Sequence, residues 1–402
     1  MNIFTQHIDD FNNQSRQLRQ KRKIIALLNK TDEELTIPKI CEKVRLSIPT
    51  GTKLINELLN DKILLESGKK ETNNGRRPVL LKVSPDSAYS VGVIILLKGI
   101  FLTVYDLEMS VRHSFSDEDF LLENSTSCLD AVVSFIKKSI EESKVGFDKV
   151  LGVGVGITGR VNTQTGYSYN YFNFLEESLV KFFSDRFDFP VYIDNDTHVL
   201  GIAEKHFGKA RNKKNAFVLN LSRGMGMAII ANGEIVGGEQ GFAGEFGHIQ
   251  LGESDSLCIC GKRGCLGTEV GGYTLEQKFK KNIKNGENSL LLSQKKLEQI
   301  KYQDILHAAL NGDALSISLL YNMGFTLGKA LGNIINLLNP KVIIIGGGFT
   351  VAQDILTDSI KSGMTHTALS LPLRSCGLVF SETKDAAIKG AGTLVLHKLQ
   401  LI

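Results

Sequence analysis

Two stretches of this chain, more than a hundred residues apart, follow one plan. Residues 89–108 read YSVGVIILLKGIFLTVYDLE: a strand, a tight turn at LKG, a second strand and a polar turn. Residues 215–238, NAFVLNLSRGMGMAIIANGEIVGG, are a second glycine-turned hairpin. Between them, 127–143 has helical period, 149–162 (KVLGVGVGITGRVN) is a glycine-rich strand and loop, and 189–210 reads strand, acidic turn, helix. Further on, NPKVIIIGGGF (339–349) is a buried strand ending in three glycines. The repeated order predicts a duplicated, two-lobed α/β body. Bodies of that kind take ligands in the crevice between lobes.

The chain has 402 residues, enough for more than one domain. Its 42% hydrophobic and 22% charged residues are ordinary for a globular protein. No apolar run approaches the roughly 18 residues that span a bilayer. MNIFTQHIDDFNNQS at the start lacks the basic-then-apolar pattern of a signal peptide. A cytoplasmic protein without a membrane partner is therefore expected. Charge is uneven: 16 Lys and Arg face 10 Asp and Glu over residues 1–83, leaving 31 against 33 in the rest. A basic segment on a near-neutral body suggests a nucleic-acid module, although a solvated charged surface has the same composition.

Within that segment, residues 17–30 fit a helix that buries Leu18, Ile24, Ile25, Leu27 and Leu28. TIPKICEKVRL (36–46) predicts a short second helix, with Thr36 as N-cap and Pro38 in its first turn. SIPTGTKLINELLNDKIL (47–64) predicts a third, capped by Ser47. There Ile48, Ile55, Leu58 and Leu59 form an apolar stripe, with Pro49, Thr50, Lys53 and Asn56 opposite. A short turn between two such helices is the spacing of a helix-turn-helix, whose second helix enters the major groove by its N-terminal end. Residues 64–83 read strand, turn, strand, with Asn73, Asn74 and Gly75 in the turn and Lys69, Lys70, Arg76 and Arg77 at the tip. That is a basic wing suited to phosphates or a narrow minor groove. Ser47, Pro49, Thr50, Lys53, Arg76 and Arg77 are the candidate contacts to double-stranded DNA. A three-helix protein-interaction domain with a basic hairpin has the same outline. VSPDS (83–87) reads as a short linker to the body.

Three of the six cysteines are clustered, in HIQLGESDSLCICGKRGCLG. His248, Cys258, Cys260 and Cys265 supply three thiolates and one imidazole, a closed tetrahedral zinc shell. With no open position, that Zn²⁺ is structural. Just upstream, GFAGEFGHI places Glu245 three residues before His248. If one imidazole nitrogen holds zinc, the other can hydrogen-bond a ligand beside Glu245. Asn195 and Asp196, between a strand and a helix, are two further polar groups, either sugar ligands or a helix cap.

Taken together, these residues resemble the ROK family, which contains bacterial sugar kinases and the xylose- and N-acetylglucosamine-type repressors. AGEFGH resembles its E-x-G-H sugar motif, CICGKRGC its zinc motif, and IDNDTHVLGIAE its catalytic-aspartate segment. LSIPTGTKLINELL and GRRP resemble the DNA-binding domain of the repressors. The resemblance implies an α/β protein: an N-terminal winged helix-turn-helix followed by a two-lobed, actin-like sugar-kinase body of the ribonuclease H-like kind. The head would be residues 1–83 and the sugar-binding body 84–402, with a small lobe of about 84–196 plus the C-terminal helix and a large lobe of about 197–380. It also implies that Asn195, Asp196, Glu245 and His248 contact a small sugar or sugar-phosphate inducer, on a homodimer or homotetramer bound to operator DNA.

Departures from the kinases are local. Where the kinases carry D-x-G-x-T in the first hairpin, this chain has Ile94, Ile95, Leu96, Leu97 and Lys98. In place of G-T-G-x-G it has Ser222, Arg223, Gly224, Met225 and Gly226. Phosphoryl transfer depends on positioned charge neutralisation, so loss of the first loop should remove most of the rate. The expected function is a non-catalytic, sugar-responsive repressor of carbohydrate-utilisation genes. An active kinase carrying a DNA-binding head, and a regulator captured by a protein partner, are the alternatives. The family's further sugar-binding glutamate, two residues after the last zinc cysteine, is Gly267 here, with Glu269 close by. Either Glu269 substitutes, the sugar differs, or the affinity is weak.

Overall fold

The computed structural model describes residues 13–31, 33–69, 78–251 and 255–402. The chain forms two compact bodies, Met1–Val199 with Ala387–Ile402, and Leu200–Ala386.

The first body opens with three helices, Asn13–Lys30, Ile37–Val44 and Ile48–Asn60. Arg45 ends the second helix in the left-handed region (φ 56°). Two residues later Ser47 caps the third, its side chain accepting from the backbone N–H of Thr50 at 3.4 Å. A Cβ on Gly51 would overlap the sulfur of Cys41, so glycine is what lets the second and third helices close. Ile24, Ile25, Ile40, Leu54, Ile55 and Leu58 fill the space between the helices. Two details correct the sequence reading. Ile48 is 58% exposed, because the first turn of the third helix projects from the head, and Leu54 is the buried residue of that stripe. Thr36 stands at the N-cap of the second helix as read, but its side chain makes no capping bond; its backbone also belongs to the two-residue strand Leu35–Thr36, which pairs with Val79–Val83. The other wing strand, Leu64–Lys69, pairs with the opposite edge of Val79–Val83. The wing turn, with Lys70, Asn73, Asn74, Gly75, Arg76 and Arg77, lies outside the described residues, as does the Lys69 side chain.

A five-stranded sheet follows, in the order Val191–Asn195, Val150–Ile157, Tyr89–Ile95, Lys98–Asp106, Val111–Leu121. The first three strands are parallel, and the last two extend the hairpin antiparallel. Glycines on one face admit the C-terminal helix Ala386–Lys398: a Cβ on Gly92 would stand 2.7 Å from the backbone nitrogen of Gly392. On the other face the helix Thr126–Glu142 buries Leu129, Val132 and Ile136.

Head and sheet share one apolar core. Ile24, Ile25 and Leu28 of the first helix cluster with Tyr105, Leu107, Leu151, Val395, Leu399 and Leu401. Asn29 donates to the carbonyl of Leu401 at 2.9 Å. The stretch read as a linker is a tied corner, with Pro85–Ser87 forming a 3₁₀ turn and Asp86 paired with Arg112 at 2.7 Å.

The second body is built around a second five-stranded sheet, ordered Glu234–Ile235, Met225–Ala231, Ala216–Leu221, Val342–Gly346, Gly377–Phe380. The long helix Ala314–Leu338 packs on Gln353–Thr367 through small residues; a Cβ on Gly324 would stand 3.1 Å from Cβ of Ser359.

Candidate functional site

Asn195 ends the strand Val191–Asn195, and Asp196 begins the helix Asp196–His206. The Asn195 side chain bonds in both directions: its amide donates to the carbonyl of Gly159 at 2.7 Å, and its oxygen accepts from the N–H of Thr197 at 2.8 Å. Asn195 therefore does the capping, and Asp196 accepts from the Thr197 hydroxyl at 3.2 Å. Beneath them Asp194 binds the N–H of Asn195 at 2.7 Å and Nδ1 of buried His198 at 2.9 Å. This network locks the strand end that presents both polar groups.

The surroundings of Asp196 bear on what it can do. A Cβ on Gly156 would lie 2.5 Å from Cδ1 of Ile94 and 3.7 Å from Cα of Asp196. The Ile94 tip and the Asp196 backbone thus both border the Gly156 position. Ile94 is 4% exposed and Ile95 fully buried. Both continue a regular ladder, Ile94 opposite Phe101 and Ile95 opposite Ile100.

In the second body, Glu245 precedes a 3₁₀ turn, Phe246–His248, that ends in His248. Nε2 of His248 lies 3.6 Å from the Glu245 carboxylate. Nδ1 points the other way, 3.5 Å from Sγ of Cys258. Cys260 and Cys265 bring their sulfurs to 3.6 Å. All four ligand atoms fall within 4.8 Å of one another. A tetrahedral ion with ordinary Zn–S and Zn–N bonds requires S···S of about 3.8 Å and S···N of about 3.5 Å, so the set fits zinc. Gly261 (φ 83°) and Gly264 (φ 72°) take the left-handed turns that fold the loop back on itself. The N–H of Lys262 holds the Cys260 thiol down to about 6, while burial pushes Cys265 up to about 12. Such a set needs a cation before all its sulfurs can ionise together.

Gly267 lies against the same turn: a Cβ there would stand 3.1 Å from the carbonyl oxygen of Gly247. Glu269 pairs its Oε2 with Lys278 at 2.9 Å, while its Oε1 is buried with no hydrogen-bond partner among the described residues. Arg223 sits over the Tyr273 ring at 5.2 Å and 4.0 Å from the buried Glu276 carboxylate. Gly348 donates its N–H to the Ser222 hydroxyl at 3.1 Å, and a Cβ there would meet the Tyr302 hydroxyl at 2.6 Å. The glycines of 346–348 are accounted for by packing.

On the head, Ser47, Pro49, Thr50 and Lys53 are all exposed, along the first turns of the third helix. The sequence reading overlooked their neighbours. Arg16, Arg19, Lys23 and Arg45 line a cleft of about 330 Å³ between the first helix and the end of the second, with no carboxylate among the described residues of its walls. Spacing of three and four along the first helix puts Arg16, Arg19 and Lys23 on one stripe, a signal available in the sequence. Exposed Ile48, between Ser47 and Pro49, is an apolar group of the kind that meets thymine methyls.

Comparison with known proteins places these features. The xylose repressor of Bacillus spizizenii is 28% identical over 370 residues, covering 90% of this chain and 92% of that protein. NagC, the DNA-binding transcriptional dual regulator of Escherichia coli K12, is 28% identical over 360 residues, covering 89% of this chain and 87% of that one. Among solved structures, a ROK family transcriptional regulator homologous to the E. coli MLC protein superposes with a TM-score of 0.82 at 24% identity, over 96% of this chain and 97% of that one. A ROK family glucokinase from Streptomyces griseus, with glucose and AMPPNP, gives 0.66 at 23% identity, over 99% of its own length but only 76% of this chain. The ROK family model itself matches residues 100–398, and this chain belongs to the ROK family.

Proposed function

We propose that this chain is a sugar-responsive transcriptional repressor of carbohydrate-utilisation genes, with a kinase-like body serving as a non-catalytic sensor. What carries the reading is the pairing of two features in one body. A capped recognition helix is presented to solvent by a head that shares its core with the sheet. In that same sheet the turn of the first hairpin, Ile94 to Lys98, carries no carboxylate. A phosphoryl-transfer site needs its metal and phosphate held by charge; a sensor needs only hydrogen-bond partners for hydroxyls. Relatives matched over about nine-tenths of the chain are named as a xylose repressor and a transcriptional regulator, which supports the same reading.

In this proposal Asn195, Asp196, Glu245 and His248 bind sugar hydroxyls. His248, Cys258, Cys260 and Cys265 hold one structural Zn²⁺, which contributes stability and fixes the imidazole. Ser47, Pro49, Thr50 and Lys53, with Arg76 and Arg77, contact operator DNA, and Arg16, Arg19, Lys23 and Arg45 attract its phosphates. A homodimer or homotetramer supplies the second head for a two-fold operator. The protein acts in the cytoplasm.

The test is fluorescence anisotropy with duplexes from upstream of the protein's own gene and neighbouring sugar genes, at two salt concentrations. A site-selective complex that weakens with salt is expected, and it should be released by one of D-xylose, D-glucose, N-acetyl-D-glucosamine or the 6-phosphates of the last two. Binding no tighter than to random duplex would overturn the reading.

A further inference from the structure

Four leucines of the second body lie where their chemistry does not favour them. Leu337, Leu338, Leu369 and Leu371 are 80%, 51%, 65% and 77% exposed, while Ile334 and Ile335 just before them are buried in the core. Leu337 and Leu338 end the long helix Ala314–Leu338. Leu369 precedes, and Leu371 belongs to, the short helix Ser370–Ser375. The two stretches are bound to each other. Asn336 donates to the carbonyl of Thr367 at 2.9 Å and accepts from the N–H of Leu369 at 2.8 Å. The Thr367 hydroxyl donates to the carbonyl of Lys329 at 2.7 Å. Leu373 packs against the core and seats the short helix. The exposed leucines therefore share one fixed platform.

We propose that a second copy of the chain docks on this platform, in a two-fold contact where the same leucines meet from both sides. The proposed function leaves the contact between copies unplaced; this inference places it, and it stands whether or not the chain binds sugar. Three observations favour a second copy over other occupants. The first is area. Four leucines so exposed present apolar surface on the scale of the largest patch of a typical monomer, roughly 300–600 Å². A standard interface takes about 800 Å² from each partner, and in homodimers about 65% of it, or about 520 Å², is apolar. The platform is of the size that a stable dimer needs. The second is charge. Residues 333–340 and 367–373, NIINLLNP and TALSLPL, hold no charged group, in a chain of which 22% is charged. A two-fold contact sets a patch against its own image, so a charge near the axis would face itself. A neutral patch has no such cost, and an acidic or basic partner would find no opposite charge here. The third is order. The bonds from Asn336 and Thr367 hold the backbone under Leu369 in place, so docking loses little conformational freedom. A rival apolar pair, Leu257 and Ile259, is 65% and 96% exposed but is flanked by Asp255, Lys262 and Arg263 and lacks this neutrality.

Sedimentation equilibrium of the full chain, with zinc present and over a range of micromolar concentrations, tests the proposal without DNA or sugar. The wild type should be an even-numbered oligomer. Leu371→Glu should halve its mass and raise the dissociation constant by at least about 30-fold, the loss of one hot-spot side chain. Ile259→Glu, on the zinc loop, should keep the wild-type mass. Far-UV circular dichroism checks that each variant is folded; if Leu371→Glu is not, Leu369→Ser decides, with the same expected direction. A monomeric wild type would mean that something other than a second copy covers these leucines, and it overturns the proposal. Wild-type mass in both leucine variants overturns it too. So does a halved mass in Ile259→Glu with Leu371→Glu unaffected, which would move the contact to the zinc loop. None of these outcomes touches the repressor reading, which the DNA titration decides.

Discussion

The His248 imidazole turns its Nε2 toward Glu245, at 3.6 Å, and gives its Nδ1 to the cysteine cluster. One ring thus serves a structural site on one side and faces a carboxylate on the other. Glu245→Gln should therefore leave metal content at one ion per chain and DNA affinity unchanged. Sugar affinity should fall by about 10–100-fold, the worth of a hydrogen bond to a charged group. Elemental analysis and calorimetry on the same sample separate the two effects. Loss of metal in Glu245→Gln would show that the two sides are not independent.

Metal removal should act on the second body. With zinc at about 100 times its Kd, a native-only site adds about 2.7 kcal/mol of stability. The wild type should gain that increment in urea melts on adding zinc after chelation. Cys258→Ser should gain almost none and should also lose sugar response, because His248 is no longer held. Equal melting of chelated and zinc-loaded wild type would remove the metal from the account.

Asp313 sets an acid limit on the same body. It is 2% exposed and caps the helix Ala314–Leu338, accepting from the N–H and hydroxyl of Ser316 and the N–H of Leu290 at 3.0, 2.6 and 2.8 Å. Burial works to raise its pKa, but these bonds outweigh it and hold the carboxyl below its usual range. A depressed folded-state pKa contributes stability that is present above the unfolded value, about 3.9, and lost as pH falls through the folded value. Asp313→Ala should cost about 1–2 kcal/mol at pH 7. The deficit should shrink below about pH 4, as the wild-type carboxylate takes up its proton. Urea midpoints of both proteins at pH 7 and in that acid range measure it.

The basic cleft on the head makes a prediction about salt. Lys23→Gln with Arg45→Gln should weaken binding to specific and random duplexes alike. The log–log salt slope should shrink by about one for each phosphate no longer neutralised. Lys53→Gln, on the recognition helix, should instead lower the ratio of specific to random binding. Anisotropy titrations over a range of salt distinguish these outcomes.

Much of this architecture was legible because it depends on local chemistry. Three metal-ligating cysteines happen to lie within eight residues here, so the run from Cys258 to Cys265 announced itself, and the Ser47 cap followed from one residue type before a helical pattern. What escaped depends on packing made at long range. The edge strand Val111–Leu121 is exposed along nearly its whole length and so carries no alternation to detect. Burial of Leu54 follows the three-and-four spacing of Gly51, Leu54, Ile55 and Leu58, whereas exposure of Ile48 is decided by how far the helix start projects, which no periodicity encodes. Docking of the first helix on Leu399 and Leu401 joins segments that lie hundreds of residues apart.

Asp196 is where a sensor and a kinase part company most sharply. As a general base it would accelerate transfer by about 10²–10⁴-fold, and Asp196→Asn would abolish that acceleration. As a hydrogen-bond acceptor it contributes only to binding, by about 1.5–3 kcal/mol for a charged partner. The first hairpin's turn, Ile94 to Lys98, has no carboxylate to help hold a metal–phosphate pair. Coupled ATP-turnover assays with the sugar that releases DNA should accordingly give the same background for wild type and Asp196→Asn. The inducer concentration needed to release DNA should rise by about 10–100-fold in the variant. Turnover in the wild type well above that of Asp196→Asn would restore the catalytic reading, and the head would then belong to an enzyme that also binds DNA.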